Sequence, residues 1–412
     1  MTKKVSPLLI PQYVREFSCI GSACEDSCCA GWRVNIDEAT YKKYKKAQDT
    51  ELKPLFQKNI IRNRSNPSSD NFAKIKMQDG GSCSFLSEEK LCKVQLNLGE
   101  DFLSNTCAIY PRSLNKINGV VEKSLTMSCP EAARLALLNP NGMEFDLTEE
   151  LGNTPGFIAR ELDTGNPDLM NKPIKYFWEL RSFTIQVLQD RTYSLDERLI
   201  FLGLFFRKVQ EAVDHGKLGF IQDIIAQYST MMVNGGAKSV FSTDSKHLAI
   251  QMEICKELLD YRVAHGIGSE RYQKCLSETL QGIEYTTESN VEAIAEKYKV
   301  AFEEYYKPFI SEHEYILENY LVNYVFKSLF PFGNKNMFED YAMLILHYSL
   351  IKLHLIGMAG FHKGLTTDLI ITLIQSFSKS VEHNNVFLKN AFKLLKDNGY
   401  TTMAYLAILI KN

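Results

Sequence analysis

From about residue 170 onward, apolar residues recur at three- and four-residue spacing, in runs broken by Ser, Thr and Asn. That period puts one apolar stripe on an α-helix. It predicts helices near 173–190, 195–214, 218–231, 244–264, 269–282, 290–305, 312–329, 338–357, 366–380 and 385–397, with few strands. Ser194 with Glu197, Ser289 with Glu292 and Ser311 with Glu314 each match the capping box, which satisfies orphan amides at a helix start. The first 150 residues hold no such period. Pro7 and Pro11 argue for an extended lead-in, and Gly21, Gly31, Gly80 and Gly81 mark tight turns beside cysteines. Residues 37–63 predict one or two lysine-rich helices, and Asn63–Asp70 a polar loop. Asn118-Gly119, between two apolar runs, predicts a type I′ hairpin that brings Cys107 and Cys129 near each other. The fold class is mainly α: an irregular, cysteine-rich domain with a short β-hairpin at 1–150, then a helical domain at 165–412. The seam falls in Gly152–Asp168, which carries Pro155, Gly156, Gly165 and Pro167.

Composition narrows the function classes. The 412 residues are 45% hydrophobic and 23% charged, with 47 basic and 49 acidic residues giving a net charge of −2. No global charge draws the chain to nucleic acid or to an anionic membrane. Lys3 and Lys4 are not followed by an apolar segment of signal-peptide length, so a cytoplasmic location is expected. Thiols stay reduced there, which disfavours a disulfide framework. The stretch from Tyr341 to Ala359 is strongly apolar but carries His347, Ser349, Lys352 and His354. It is expected to be a buried helix, not a membrane span.

Candidate chemistry is concentrated in sulfur. Eight of the ten cysteines, Cys19, Cys24, Cys28, Cys29, Cys83, Cys92, Cys107 and Cys129, lie in the first third, and no histidine precedes His215. Thiols that serve only packing would be spread over both parts, so the clustering reads as metal ligation. The gaps are not the C-x2-C knuckles of zinc ribbons, and Gly31 stands where a radical-type C-x3-C-x2-C triplet needs its third cysteine. An iron–sulfur centre such as a [4Fe–4S] cluster is the first reading, with zinc as the alternative. Four ligands suffice for either, so one or two sites remain open.

The run Phe17-Ser18-Cys19-x4-Cys24-x3-Cys28-Cys29-x-Gly31-Trp32-x-Val34-x-Ile36-Asp37 resembles the opening of the flagellin lysine-N-methylase family. The resemblance continues through Cys83-Ser84-Phe85-Leu86, Leu91-Cys92-x2-Gln95, Thr106-Cys107-x2-Tyr110-Pro111-Arg112 and Ser128-Cys129-Pro130-Glu131-Ala132-Ala133-Arg134. Leu317–Tyr324 and Leu329–Phe332 are similar to the family's helical part. Ser84 departs from the pattern, since proline is expected after that cysteine. The resemblance implies methyl transfer from S-adenosylmethionine to lysine side chains of flagellin, on a fold without the Rossmann-type methyltransferase sheet. In keeping with that, no strand leads into a G-x-G loop. The sulfonium is already an activated electrophile, so a cluster here serves structure or donor seating, not radical chemistry. The rivals are a non-enzymatic metal-binding module that docks a partner, and a redox protein.

Within that reading, Arg112 suits the donor's carboxylate and Trp32 and Tyr110 its flat or cationic parts. The plain alternatives are an ion pair for Arg112 and a core anchor for Trp32. Glu131 complements the dipole of the helix it opens. Tyr320 and Tyr324 share a helix face with Asn323 and are candidates to steer the lysine amine, with Glu318 as the base. Core packing is the alternative for both tyrosines, and buried, hydrogen-bonded roles are expected for His347 and His354.

Overall fold

Strand pairing between distant segments, not helical period, organises the N-terminal part. The computed structural model describes residues 5–65, 67–151, 158–235, 248–264, 269–286, 288, 290–383 and 385–411. The chain divides into two units, one of Met1–Ala132 with Phe145–Glu161, the other of Ala133–Glu144 with Leu162–Asn412. Residues 133–144 thus fold with the helical unit although cysteine-rich chain precedes them and a strand of the first unit follows.

In the first unit the lead-in is a strand, β1 (Val5–Pro11). Its mates are β5 (Arg112–Ile117), β6 (Val120–Leu125), β7 (Phe145–Leu151) and β8 (Arg160–Leu162), in the order β7-β1-β6-β5-β8. β1 runs antiparallel to β7 along its whole length but parallel to β6 only at Leu8 and Leu9. Pro7 and Pro11, which lack an amide to donate, thereby stay out of the parallel register. The Asn118-Gly119 hairpin is present between β5 and β6, with φ of 50° and 83° as a type I′ turn needs. Leu8, Ile10, Leu114 and Val121 bury one face of this sheet.

A second sheet has the order β2-β4-β3, from β2 (Asn35–Ile36), β3 (Ile60–Arg62) and β4 (Ala73–Ile75). The expected lysine-rich helices are α2 (Glu38–Lys46) and α3 (Leu52–Asn59), and the short α1 (Tyr13–Glu16), α4 (Lys93–Leu98) and α5 (Asn105–Ile109) complete the unit. Asp37 caps α2 by accepting from the Thr40 amide at 2.8 Å. Tyr44 and Phe56 stack at 4.2 Å between centroids. They join Val34, Ile36, Ile75 and Phe85 in a core against which Cys29, Cys92 and Cys107 also pack. α6 (Pro130–Leu137) follows the hairpin.

The second unit is helical. Its helices are α7 (Phe177–Leu188), α8 (Leu195–Asp214), α9 (Ile221–Val233), α10 (Leu248–Ala264), α11 (Glu270–Gly282) and α12 (Val291–Val300). They continue with α13 (Lys307–His313), α14 (Tyr315–Ser328), α15 (Met337–His362), α16 (Thr367–Phe377), α17 (Asn385–Asp397) and α18 (Met403–Ile410). π-helical turns extend α12 over Ala301–Tyr306 and α16 over Ser378–Glu382. Ser194 and Glu197 form the expected capping box. Ser311 does not: it lies inside α13 and bonds back to the Lys307 carbonyl at 2.7 Å. Ser289 lies outside the described residues, and Asn290 is the cap of α12.

Helix α15 is long and apolar enough to cross a bilayer by length and composition, yet its apolar window is wholly buried inside the unit. Its polar residues are all answered. Lys352 reaches both Asp196 oxygens at 3.1 and 3.0 Å and the Ile410 carbonyl at 2.6 Å. His354 Nε2 meets the Tyr272 hydroxyl at 3.0 Å and its Nδ1 the Leu350 carbonyl at 2.7 Å. The helix also lies unusually close to α11. A Cβ at Gly357 would stand 2.6 Å from the Thr279 carbonyl oxygen, so glycine sets the helix spacing.

Two predictions follow from this packing. Gly357→Ala should force α11 and α15 apart and destabilise by about 1–3 kcal/mol, read as a lower urea midpoint. Burial drives the imidazoles of His347 and His354 from 6.5 down to about 4. The unfolded chain then takes up protons that the folded one refuses, so stability falls as pH drops from about 6.5 towards 4. The loss is at most about 1.4 kcal/mol per pH unit per histidine. His354→Phe should flatten that slope; an unchanged slope in urea unfolding between these pH values would contradict the assignment.

Candidate functional site

Three stretches of the first unit are laced together where sulfur gathers. The Cys83 amide donates to the Cys29 carbonyl at 2.7 Å, and the Gly31 amide to Gly81 at 3.0 Å. Isolated bridges join Ala30 with Ser82, Met77 with Cys83, and Leu86 with Cys92. Gly31 and Gly81, at φ of 81° and 74°, take backbone conformations that side chains disfavour. Cys29 packs against the sulfurs of Cys28, Cys83 and Cys92. These contacts, the one with Cys28 foremost, push its own thiol well up. The same contact with Cys29 pulls Cys83 down and Cys92 down to about 6, and amides of Gln95 and Val94 at the start of α4 assist at Cys92. Contact among these thiols therefore favours the protonated form at Cys29 and the ionised form at Cys83 and Cys92. Burial pushes Cys107 up to about 12. All five line one apolar cavity of about 70 Å³, together with Trp32, Phe85 and Tyr110.

The other three cysteines form a second neighbourhood. Burial pushes Cys129 up to about 11 against two amides of α6, and its facing thiols are Cys24 and Cys19. Cys24 Sγ donates to the Asp26 carbonyl at 3.0 Å, and Cys19 is exposed. Cys107 faces the Cys83 and Cys92 group, while Cys129 begins α6 and faces the opening run. Among the described residues, no group of three or more His, Cys, Asp and Glu side chains meets the requirements for holding a metal ion.

Trp32 and Tyr110 meet with ring centroids 5.4 Å apart. The indole donates to the Cys28 carbonyl at 2.6 Å, and the phenol pairs with Ser128 at 3.2 Å. Arg112 is exposed and stands over the Phe17 ring at 5.7 Å; it is not among the residues lining the sulfur-lined cavity. Glu131 lies in the first turn of α6, as the dipole argument expects.

In the second unit, Glu318 is only 1% exposed and is gripped by two arginines. Oε1 accepts from Arg191 Nη2 at 2.8 Å, and Oε2 from Arg191 Nε at 3.0 Å and Arg198 Nη1 at 2.7 Å. Arg198 also binds Glu314 at 2.6 Å. With both oxygens taken by guanidinium donors, Glu318 anchors α14 to α8, and the expectation of a base at this position is corrected. Removing one partner of such a buried pair is far more damaging than the pair's net worth.

Tyr320 and Tyr324 do share a face with a functional-looking neighbour. The Tyr320 hydroxyl donates to Glu382 Oε1 at 2.6 Å and lies 3.2 Å from His347 Nδ1, while the Tyr324 ring packs on His347 at 4.8 Å. Lys327 meets the other Glu382 oxygen at 3.0 Å. Glu382 is buried, yet Lys327 and His347 hold it down to about 2 despite the cost of burial. No sequence signal pointed to Glu382, which lies 62 residues from Tyr320 on a π-turn. π-turns of this kind recur at functional sites.

Comparison with known proteins gives this arrangement its context. Residues 181–409 match the family described as the FliB lysine N-methylase C-terminal domain. Lysine-N-methylases of Salmonella choleraesuis and Salmonella typhimurium are each 25% identical over 393 residues, covering 92% of this chain and 93% of theirs. A flagellar biosynthetic protein, FliU of Salmonella muenchen, is 40% identical over 134 residues, 32% of this chain and 78% of its own length. No solved structure matches. A match across more than half of the chain, with relatives that span nearly all of it, makes this protein a member of the FliB family of lysine N-methylases and hence a protein-lysine methyltransferase.

Proposed function

We propose that this enzyme transfers methyl groups from S-adenosylmethionine to lysine side chains of flagellin, in the cytoplasm, and that its first unit holds an iron–sulfur centre. The observation that carries the reading is the relation to lysine-N-methylases across 92% of the chain, so that both units are shared. The flagellar name of the FliU relative supports the substrate.

The chemistry sets clear demands on the residues. A lysine amine attacks the sulfonium methyl, the N–C bond forms as the C–S bond breaks, and the proton leaves nitrogen. The amine must first be unprotonated, which needs desolvation or an acceptor. The rings of Trp32 and Tyr110 offer π-faces beside the sulfur-lined cavity, suited to a sulfonium or an adenine. Arg112, exposed, suits the donor carboxylate. Tyr320 and Tyr324, backed by Glu382 and His347, are the groups assigned to steering the amine.

The donor set fits an iron–sulfur centre in kind. It is all sulfur, Cys29 touches Cys28, Cys83 and Cys92, and Cys83 and Cys92 lean towards thiolate. Cys28, Cys29, Cys83 and Cys92 would hold it, with Cys107 adjacent; zinc in the same ligands is the alternative. Such a centre supplies a rigid platform that ties three backbone segments together and seats the donor. Cys19, Cys24 and Cys129 form a separate neighbourhood.

Flagellin co-expressed with this chain should show added methyl masses on lysines, and calorimetry should detect S-adenosylmethionine binding. No mass shift in a folded preparation would overturn the enzyme–substrate pairing. Cys29→Ser should lose metal and folded yield together, whereas Cys24→Ser should retain the metal of the first group.

A further inference from the structure

From Glu38 to Arg62, the span of α2, α3 and β3, seven Lys and Arg stand against three Asp and Glu, in a chain whose net charge is −2. The three acids are already engaged. Glu38 pairs with Lys42 and Glu51 with Lys93, each at 2.9 Å, and Asp49 accepts from the Leu52 amide at 2.7 Å as α3 begins. The cations are in excess. Lys45, Lys53 and Arg62 have no carboxylate partner among the described residues; Lys53 donates only to the neutral Gln48 side chain, at 3.1 Å.

These three come from different elements yet gather around one aromatic patch. Lys45 and Lys53 line a shallow dip of about 30 Å³ between α2 and α3, with Tyr41, Tyr44 and Phe56 among its other walls. The Lys45 ammonium lies 5.6 Å and the Arg62 guanidinium 6.0 Å from the centre of the Tyr41 ring. Arg62 is also held over Phe72, at 3.7 Å. Stacking uses the flat face of a guanidinium and leaves its edge N–H donors to meet a carboxylate in the bidentate way. The dipole of α2 accounts for basic residues in its own last turn. It does not account for Lys53 or Arg62, which lie on α3 and β3.

Three like charges around one patch repel one another, and an anion from outside the chain relieves that cost. The size of the dip suits single carboxylates. A nucleic acid would need a longer cationic track, and outside this span the chain has more acids than bases. A substrate lysine is itself a cation, so what meets this surface on a protein substrate is its acidic side chains.

We propose that this basic surface docks an acidic segment of the protein substrate, its carboxylates received by Arg62, Lys45 and Lys53 around Tyr41. The inference rests on the assignment of a protein substrate and names the chemistry by which the enzyme holds it apart from the transfer step.

The test compares the full chain with the triple variant Lys45→Gln, Lys53→Gln, Arg62→Gln. All three residues are exposed, so the thermal midpoint should stay near that of wild type. A control carries Lys299→Gln, Lys389→Gln and Lys393→Gln, exposed in the second unit, and loses the same charge. The probe is a fluorescent hexaglutamate peptide followed by anisotropy at about 50 mM salt. Wild type and control should bind it, and the triple variant about tenfold more weakly. Lys45→Gln with Lys53→Gln, which keeps the Arg62–Phe72 stack, should already weaken binding about threefold. No binding by wild type, or an equal loss in the control, overturns the proposal, as does tighter binding of a hexathymidylate oligonucleotide. With flagellin as substrate, the triple variant should raise KM several-fold with kcat within about twofold. An unchanged KM, or a fall in kcat alone, overturns it as well. If wild type leaves flagellin unmethylated, the proposed activity fails while the peptide titration still decides the surface.

Discussion

Sulfur-to-sulfur contact around Cys29 is the constraint that shapes the first unit. Short backbone bridges bring the Cys28–Cys29 turn onto the strand-like stretch at Cys83 and the start of α4 at Cys92. Neither of its sheets is large: one has five strands, the other three. The core that holds the smaller sheet includes Cys83 and packs against Cys29, Cys92 and Cys107. Sulfur therefore fills positions where a larger domain would use aliphatic carbon. Polarizable thiols do this at little cost while protonated, but thiolate character in an apolar lining is expensive unless something positive shares it. Metal ligation would relieve that cost, so the iron–sulfur proposal and the packing belong to one argument.

The helical unit obeys a different rule: several charges taken into its interior have specific partners. Arg198 sits between Glu318 and Glu314, Lys352 between Asp196 and a C-terminal carbonyl, and Glu382 between Tyr320 and Lys327. The ties from Ser349 to Leu409, Lys352 to Ile410 and Gln251 to Lys411 fix the end of the chain to its centre. Among these buried groups, the Tyr320–Glu382–His347 set joins an acid, a phenol and an imidazole by hydrogen bonds.

Local chemistry made part of this legible. Asn118-Gly119 forces positive φ twice and so declares its hairpin; Ser194 and Glu197 bond reciprocally across one turn and declare a helix start. The period of apolar residues located most helices of the second unit. What depends on distant pairing was not legible: nothing near Val5–Pro11 says that it lies between β7 and β6, or that it runs parallel to one and antiparallel to the other. α18 was missed because Met403–Ile410 is apolar nearly throughout and shows no period. The arginine partners of Glu318, a candidate base from sequence, were not foreseeable because they lie over a hundred residues away in the chain. The sulfur-rich region was conspicuous, but its division into two neighbourhoods follows from where backbone bridges fall, which spacing alone does not encode.

The most direct test is quantitation of iron, zinc and acid-labile sulfide in the full-length protein purified without oxygen, with its visible absorption spectrum. The account predicts iron and sulfide in equal amounts and a broad charge-transfer band. Fully folded protein containing neither iron nor zinc, with all eight N-terminal thiols titratable, would contradict it.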